Sequence, residues 1–129
     1  MAEKDVIRTD RAPGPFQGSP YNQAIRVDDL VFVAGQLGIS LDTGALAGAG
    51  VAEQTEQIMA NLGAILDAAG SGLDKLVKTT VFLMDLENFD AMNEVYARHV
   101  GDRPPARSTV QISGLPSGAL VEIEAIAHV

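Results

Sequence analysis

Pro104-Pro105-Ala106-Arg107-Ser108-Thr109-Val110-Gln111-Ile112 leaves the backbone little choice. The two prolines fix φ and hold the residue before each of them extended, so the run enters a strand without helical ambiguity. From Ala106 onward the side chains alternate. Ala106, Ser108, Val110 and Ile112 point one way, and Arg107, Thr109, Gln111 and Ser113 point the other. A guanidinium therefore stands at the start of a strand, on a face of hydroxyls and an amide. Arg offers a planar fork of donors and stays charged, so this is a candidate carboxylate receptor.

Working backward, Asp85-Leu86-Glu87-Asn88 leads into a helix whose apolar arc is Phe89, Met92, Val95, Tyr96 and Val100, with Asn88 as the expected cap and Gly101 as the stop. Asn93 falls at the edge of that arc, where a buried amide needs a partner from protein, water or ligand. Before it, Leu76–Met84 reads as a central strand, apolar on both faces in its second half. An earlier helix is written in Val51, Thr55, Ile58, Met59, Leu62, Ile65, Leu66 and Ala69, with Glu53, Gln57, Asn61 and Asp67 opposite and Gly70 at its end.

The N-terminal third reads as strands. Val6–Thr9 is a short one, residues 10–20 form a Pro/Gly-rich loop, and Tyr21–Val27 alternates. Asp28-Asp29 then turns the chain into the strongly apolar Leu30–Leu37. Gly35 interrupts that run, which marks a bulge or a close approach to the backbone. Residues 38–50, with four glycines, form an irregular connection. After Arg107–Ser113, a Gly-Pro turn leads to the last strand, Ala119–Val129. There Val121, Ile123, Ala125, Ala127 and Val129 line one face; Glu122, Glu124, Ile126 and His128 line the other.

The expected architecture is α+β, a mixed six-stranded sheet with two helices on one face, in one domain over residues 1–129. The helices cover one face only. The other is expected to carry Arg107, Thr109, Gln111 and Glu122 beside apolar residues, which favours oligomerisation and a cleft between subunits.

Composition narrows the function. The chain has no Cys, so disulfides, thiolate metal sites and Cys nucleophiles are excluded. The net charge of −8 comes from 17 acidic against 9 scattered basic residues, which argues against a grip on phosphate backbones. The N-terminus lacks an apolar signal core and no run approaches a membrane span, so a soluble cytoplasmic protein is expected. His99 and His128 lack metal-ligand spacing and receive no catalytic role.

Six motifs in order carry a resemblance. They are Ser19-Pro20-Tyr21-Asn22-Gln23-Ala24, Leu30-Val31-Phe32-Val33-Ala34-Gly35-Gln36, Val77-Lys78-Thr79-Thr80-Val81-Phe82, Met92-Asn93-Glu94-Val95-Tyr96, Pro105-Ala106-Arg107-Ser108 and Val121-Glu122-Ile123-Glu124-Ala125. Together they resemble the RidA (reactive intermediate deaminase) family, also called YjgF/YER057c/UK114. The resemblance implies a chorismate-mutase-like fold and a homotrimer with clefts between subunits. It also implies hydrolysis of enamine/imine carboxylates such as 2-aminoacrylate to a 2-keto acid and ammonia, without metal or organic cofactor. Arg107 matches the carboxylate-binding arginine, Tyr21 the cleft tyrosine, Gly35 the glycine approached by substrate, Asn93 a cleft asparagine, and Glu122 the glutamate near the reacting water. Ala34 stands where many members carry Ser, and Thr109 where many active members carry Cys. Two other readings are a non-catalytic trimer that binds small carboxylates and an RNA-cleaving translation inhibitor; the charge balance weighs against the latter.

Overall fold

The computed structural model describes residues 2–129. Six strands form one sheet: β1 (Lys4–Ile7), β2 (Ala24–Val27), β3 (Leu30–Leu37), β4 (Leu76–Leu83), β5 (Ala106–Gln111) and β6 (Val121–His128). Their spatial order is β1-β2-β3-β6-β4-β5. Only β4 and β5 pair in parallel, and the segment crossing between them holds helix α2 (Phe89–Val100). Helix α1 (Val51–Ala68) occupies the corresponding crossover between β3 and β4. The expected α+β sheet with two helices on one face is the architecture observed. No helix among the described residues is long and apolar enough to cross a membrane.

The core lies between helices and sheet. All eight apolar-stripe positions named for α1 are buried, and from the sheet Val31, Val33, Val81, Leu83, Val121, Ile123, Ala125 and Ala127 meet them. Gly70 ends α1 with a φ of +79°, a conformation that glycine adopts without steric cost. There the Gly70 N–H donates to Asp67 O and the Ser71 N–H to Leu66 O, the paired bonds of a Schellman stop.

Several local expectations need correction. Asn61 is not on the solvent face: it is buried, and its Nδ2 donates to Leu37 O (3.3 Å) and Ile39 O (3.0 Å). It thereby ties the irregular 38–50 connection to α1, a need that helical periodicity cannot display. Asn88 makes no side-chain cap; Asp85 Oδ1 instead accepts from Glu87 N at 2.9 Å, in a short 3₁₀ turn ahead of α2. The first strand lies two residues earlier than expected, at Lys4–Ile7, and the second begins at Ala24. Tyr21 therefore belongs to the preceding loop.

The largest correction concerns β5. Its parallel register places Arg107 opposite Thr79, Thr109 opposite Val81 and Gln111 opposite Leu83. Thr79, Val81 and Leu83 are buried beneath the helices, so Arg107, Thr109 and Gln111 face the helical side. The open face receives Ala106, Ser108 and Val110. At this edge strand the helical layer covers only part of the sheet, so polar residues suit the covered side's margin and an apolar residue is left facing outward.

Candidate active site

One group of site residues surrounds the loop before β2. Buried Gln23 organises it: its Oε1 accepts from Thr9 N at 2.8 Å, and its Nε2 donates to the carbonyls of Thr9, Ala12 and Pro13. Within the loop Tyr21 Oη accepts from Phe16 N at 2.6 Å, which sets the ring against its own turn. Beside it, β3 is irregular where it pairs with β6, between Val33 and Gln36. Ala34 and Gly35 lie in this bulge, and Ala34 N donates to Gln23 O at 2.9 Å. Both a bulge and a close approach are therefore present at Gly35. A methyl group added there would stand 2.5 Å from Glu122 Oε1 and 2.8 Å from its Cδ. A side chain at this position would therefore require the Glu122 carboxylate to move.

Tyr21, Gly35 and Glu122 line one open pocket of about 380 Å³, together with Phe16, Ser19, Leu37 and Pro116. Glu122 is half-buried on the open side of β6. Burial pushes its carboxyl above the usual carboxylate range, and the like charge of Glu124 pushes it further in the same direction. A carboxylate so placed binds a proton more readily than an exposed one, which suits proton transfer to and from a water molecule.

A second group surrounds Arg107 on the other side of the sheet. The guanidinium lies over two rings of α2, with Cζ 4.9 Å from the Tyr96 centroid and 5.5 Å from that of Phe89. Asn93 falls between those two residues on the same helical stripe. Its Oδ1 is buried and accepts no hydrogen bond. Half-buried Thr109 follows Arg107 on the same face of β5.

Arg107 and Thr109 thus lie on the helical side of β5, with Asn93 on the α2 stripe between the two rings that Arg107 meets, while Tyr21, Gly35 and Glu122 share one pocket and Ala34 adjoins it in the bulge. Strand alternation separates them. In β6, Val121, Ile123 and Ala125 point to the core and Glu122 points away; in β5, Arg107 sits beside core-facing Thr79. The two halves occupy opposite sides of a single sheet.

A family model described as Endoribonuclease L-PSP matches residues 11–129. The chain belongs to this family, that of the RidA proteins. A protein of Arabidopsis thaliana named Reactive Intermediate Deaminase A, chloroplastic, is 44% identical over 97% of this chain and 66% of its own length. The 2-iminobutanoate/2-iminopropanoate deaminase of Homo sapiens is 43% identical over 95% of this chain and 88% of its own. Among solved structures, E. coli TdcF with bound serine superimposes with a TM-score of 0.89 at 38% identity, covering 97% of this chain and 98% of that one.

In this RidA-family chain, Phe89, Tyr96 and Thr79 are the site neighbours that the sequence reading missed. Phe89 and Tyr96 stood in the apolar arc of α2 as core residues. Their seven-residue spacing on one stripe was the available signal, but linking it to Arg107 requires the β4–β5 register. Phe16 and Pro116, from two separate loops, carried no signal at all. The two histidines lie apart from both clusters: His99 Nε2 is 3.0 Å from Glu56 Oε2, and the ring of His128 meets Val129 O.

Proposed function

We propose that this chain hydrolyses reactive 2-enamine and 2-imine carboxylates, of the 2-aminoacrylate type, to 2-keto acids and ammonia. The sites are shared between subunits of a homotrimer, each joining the Arg107 half of one copy to the Glu122 half of another. The observation that carries this reading is the separation of the two halves. An anion receptor and a proton-transfer carboxylate on opposite sides of one sheet cannot act on one small molecule unless a second copy supplies the missing half. The partly apolar open face of the sheet offers a surface for such association. The names of the plant and human relatives support the chemistry, and serine, bound in TdcF, carries the same α-carboxylate as the proposed substrates.

In the reaction the enamine tautomerises to the imine. Water then adds to the C=N carbon, a proton passes to the nitrogen, and the C–N bond breaks to release ammonia and leave the keto acid. Arg107 holds the carboxylate; a hydrogen bond to a charged group contributes about 1.5–3 kcal/mol. Asn93, with its free Oδ1, and Thr109 border the same receptor. Glu122 accepts the proton of the attacking water and returns it to the departing nitrogen. Gly35 keeps the carboxylate's space clear, and Tyr21 closes the pocket. Imines hydrolyse unaided in water, so orientation supplies enough acceleration to matter.

The test generates 2-iminopropanoate and 2-iminobutanoate with an amino-acid oxidase and follows imine loss with and without the protein. Arg107→Ala is expected to reduce the protein-dependent rate to background while the circular dichroism spectrum is retained. Undiminished turnover by that variant would reject the carboxylate role. Binding of the keto acid by wild-type protein without any turnover would favour a non-catalytic carboxylate-binding trimer instead.

A further inference from the structure

Arg107 is held in an unusual way for a half-buried cation. Among the described residues no carboxylate pairs with it, and the polar side chain it reaches is the Tyr96 hydroxyl. The guanidinium lies against the faces of Tyr96 and Phe89. A ring face attracts a guanidinium through its quadrupole, and one bond to a phenol oxygen leaves most of the five N–H donors free. An acidic partner would have neutralised the charge and occupied those donors.

The Tyr96 ring is itself anchored. Its hydroxyl lies 2.6 Å from Thr79 Oγ1, and both residues are buried. Thr79 is also the β4 residue paired with Arg107. The hydroxyl that fixes the ring therefore projects from the backbone position adjacent to the arginine. Burial holds the Tyr96 phenol above the ordinary tyrosine value, against the opposing effects of the Thr79 bond, the Arg107 charge and a hydrogen bond with Arg107, so Tyr96 remains a neutral ring at neutral pH.

We propose that Tyr96 is a positioning residue: clamped by Thr79 and assisted by Phe89, it sets the plane of the Arg107 guanidinium so that the free donor fork meets a small carboxylate. This rests on the reading of Arg107 as the carboxylate receptor. An unsupported arginine would lose rotamer freedom at every binding event, and the aromatic support removes that loss in advance.

The experiment compares wild type with Tyr96→Phe, Tyr96→Leu and Phe89→Leu. It reads KM and kcat for 2-iminobutanoate, 2-oxobutanoate binding by calorimetry, and the Arg107 Nε–Hε resonance by NMR. Tyr96→Leu is expected to raise KM and weaken 2-oxobutanoate binding about 10-fold, with kcat changed less than about 3-fold. Tyr96→Phe keeps the ring but loses the Thr79 bond, and its KM is expected to fall between those of wild type and Tyr96→Leu. Phe89→Leu, at a surface position that tolerates substitution, is expected to show a smaller rise in KM than Tyr96→Leu and an altered Arg107 resonance. In an Arg107→Ala background the Tyr96→Leu effect on binding should vanish, because the two residues act as one unit. The proposal is overturned if Tyr96→Leu and Phe89→Leu leave both binding and the Arg107 resonance unmoved. It is also overturned if the Tyr96→Leu penalty persists in full without Arg107. The resonance requires no turnover, so a wild-type protein inactive on imines would refute the deaminase reading while leaving the positioning role to be decided by NMR.

Discussion

Glu122 illustrates how strand chemistry and catalytic need meet in one side chain. Two carboxylates two residues apart on a strand usually mark a solvated face, and Glu124 is indeed exposed. Glu122 differs because the Gly35 bulge and the pocket wall remove part of its water. A base must be ionised to accept a proton from water, so the acid limb of the rate profile follows its pKa. Burial and Glu124 both disfavour ionisation, which places that limb above pH 4.5, the ordinary value for the group. Glu124→Gln removes the like charge and leaves the burial. The acid limb of kcat/KM for imine hydrolysis, after subtraction of the spontaneous rate, is therefore expected to move to lower pH. High salt should reduce the difference between the two proteins, because the repulsion is partly screened by water. A limb that stays fixed on this substitution would show that the titrating group is not Glu122.

The junction between β3 and α1 shows what periodicity conveys and what it omits. The helical stripe of α1 was legible because eight apolar-stripe positions repeat with the period of the helix, and all eight are buried. The role of Gly38, just past β3, was not legible. A Cβ there would stand 2.6 Å from Gln54 O and 2.8 Å from Gln54 Cα, both backbone atoms of α1 that cannot turn aside. Gly38→Ala is expected to destabilise the protein by about 1–3 kcal/mol in urea unfolding, as overpacking does. Gly14→Ala is the matched control, since a Cβ at Gly14 meets nothing within 4 Å. Equal midpoints for the two variants would show that strand and helix separate readily. Strand β5 exposes the opposite weakness of pattern reading. Its alternation was correct, but assigning the more apolar set to the core reversed the faces. The pairing with β4 that fixes them is parallel and spans a whole helical crossover, so no local feature of residues 104–112 encodes it. Arg107 could be named from its motif, whereas its aromatic seat on Tyr96 and Phe89 emerged only with that register.

At the scale of the whole molecule, the open sheet face and the divided site pose the same problem. Phe32, Leu30 and Val110 are exposed on that face, and Phe32 pairs directly with Ile126 of β6. The sequence pointed to an uncovered apolar face and a site between copies, because two helices cannot blanket both sides of six strands. It could not show that the two site halves lie on opposite sides, since that depends on the orientation of β5. The separation leads to a test that a site contained in one chain would fail. Arg107→Ala and Glu122→Gln subunits are each expected to be inactive alone. If every site takes Arg107 from one copy and Glu122 from the next, mixed assemblies contain some sites with both groups intact. Random mixing in equal amounts gives each site a one-half chance of an intact arginine donor and a one-half chance of an intact glutamate donor. Joint unfolding and refolding should then recover about a quarter of wild-type activity in closed rings. Mixing folded proteins without subunit exchange should recover none. Complementation would fail if both groups of a site came from the same chain, because each mutant chain would then spoil its own site whatever its neighbours.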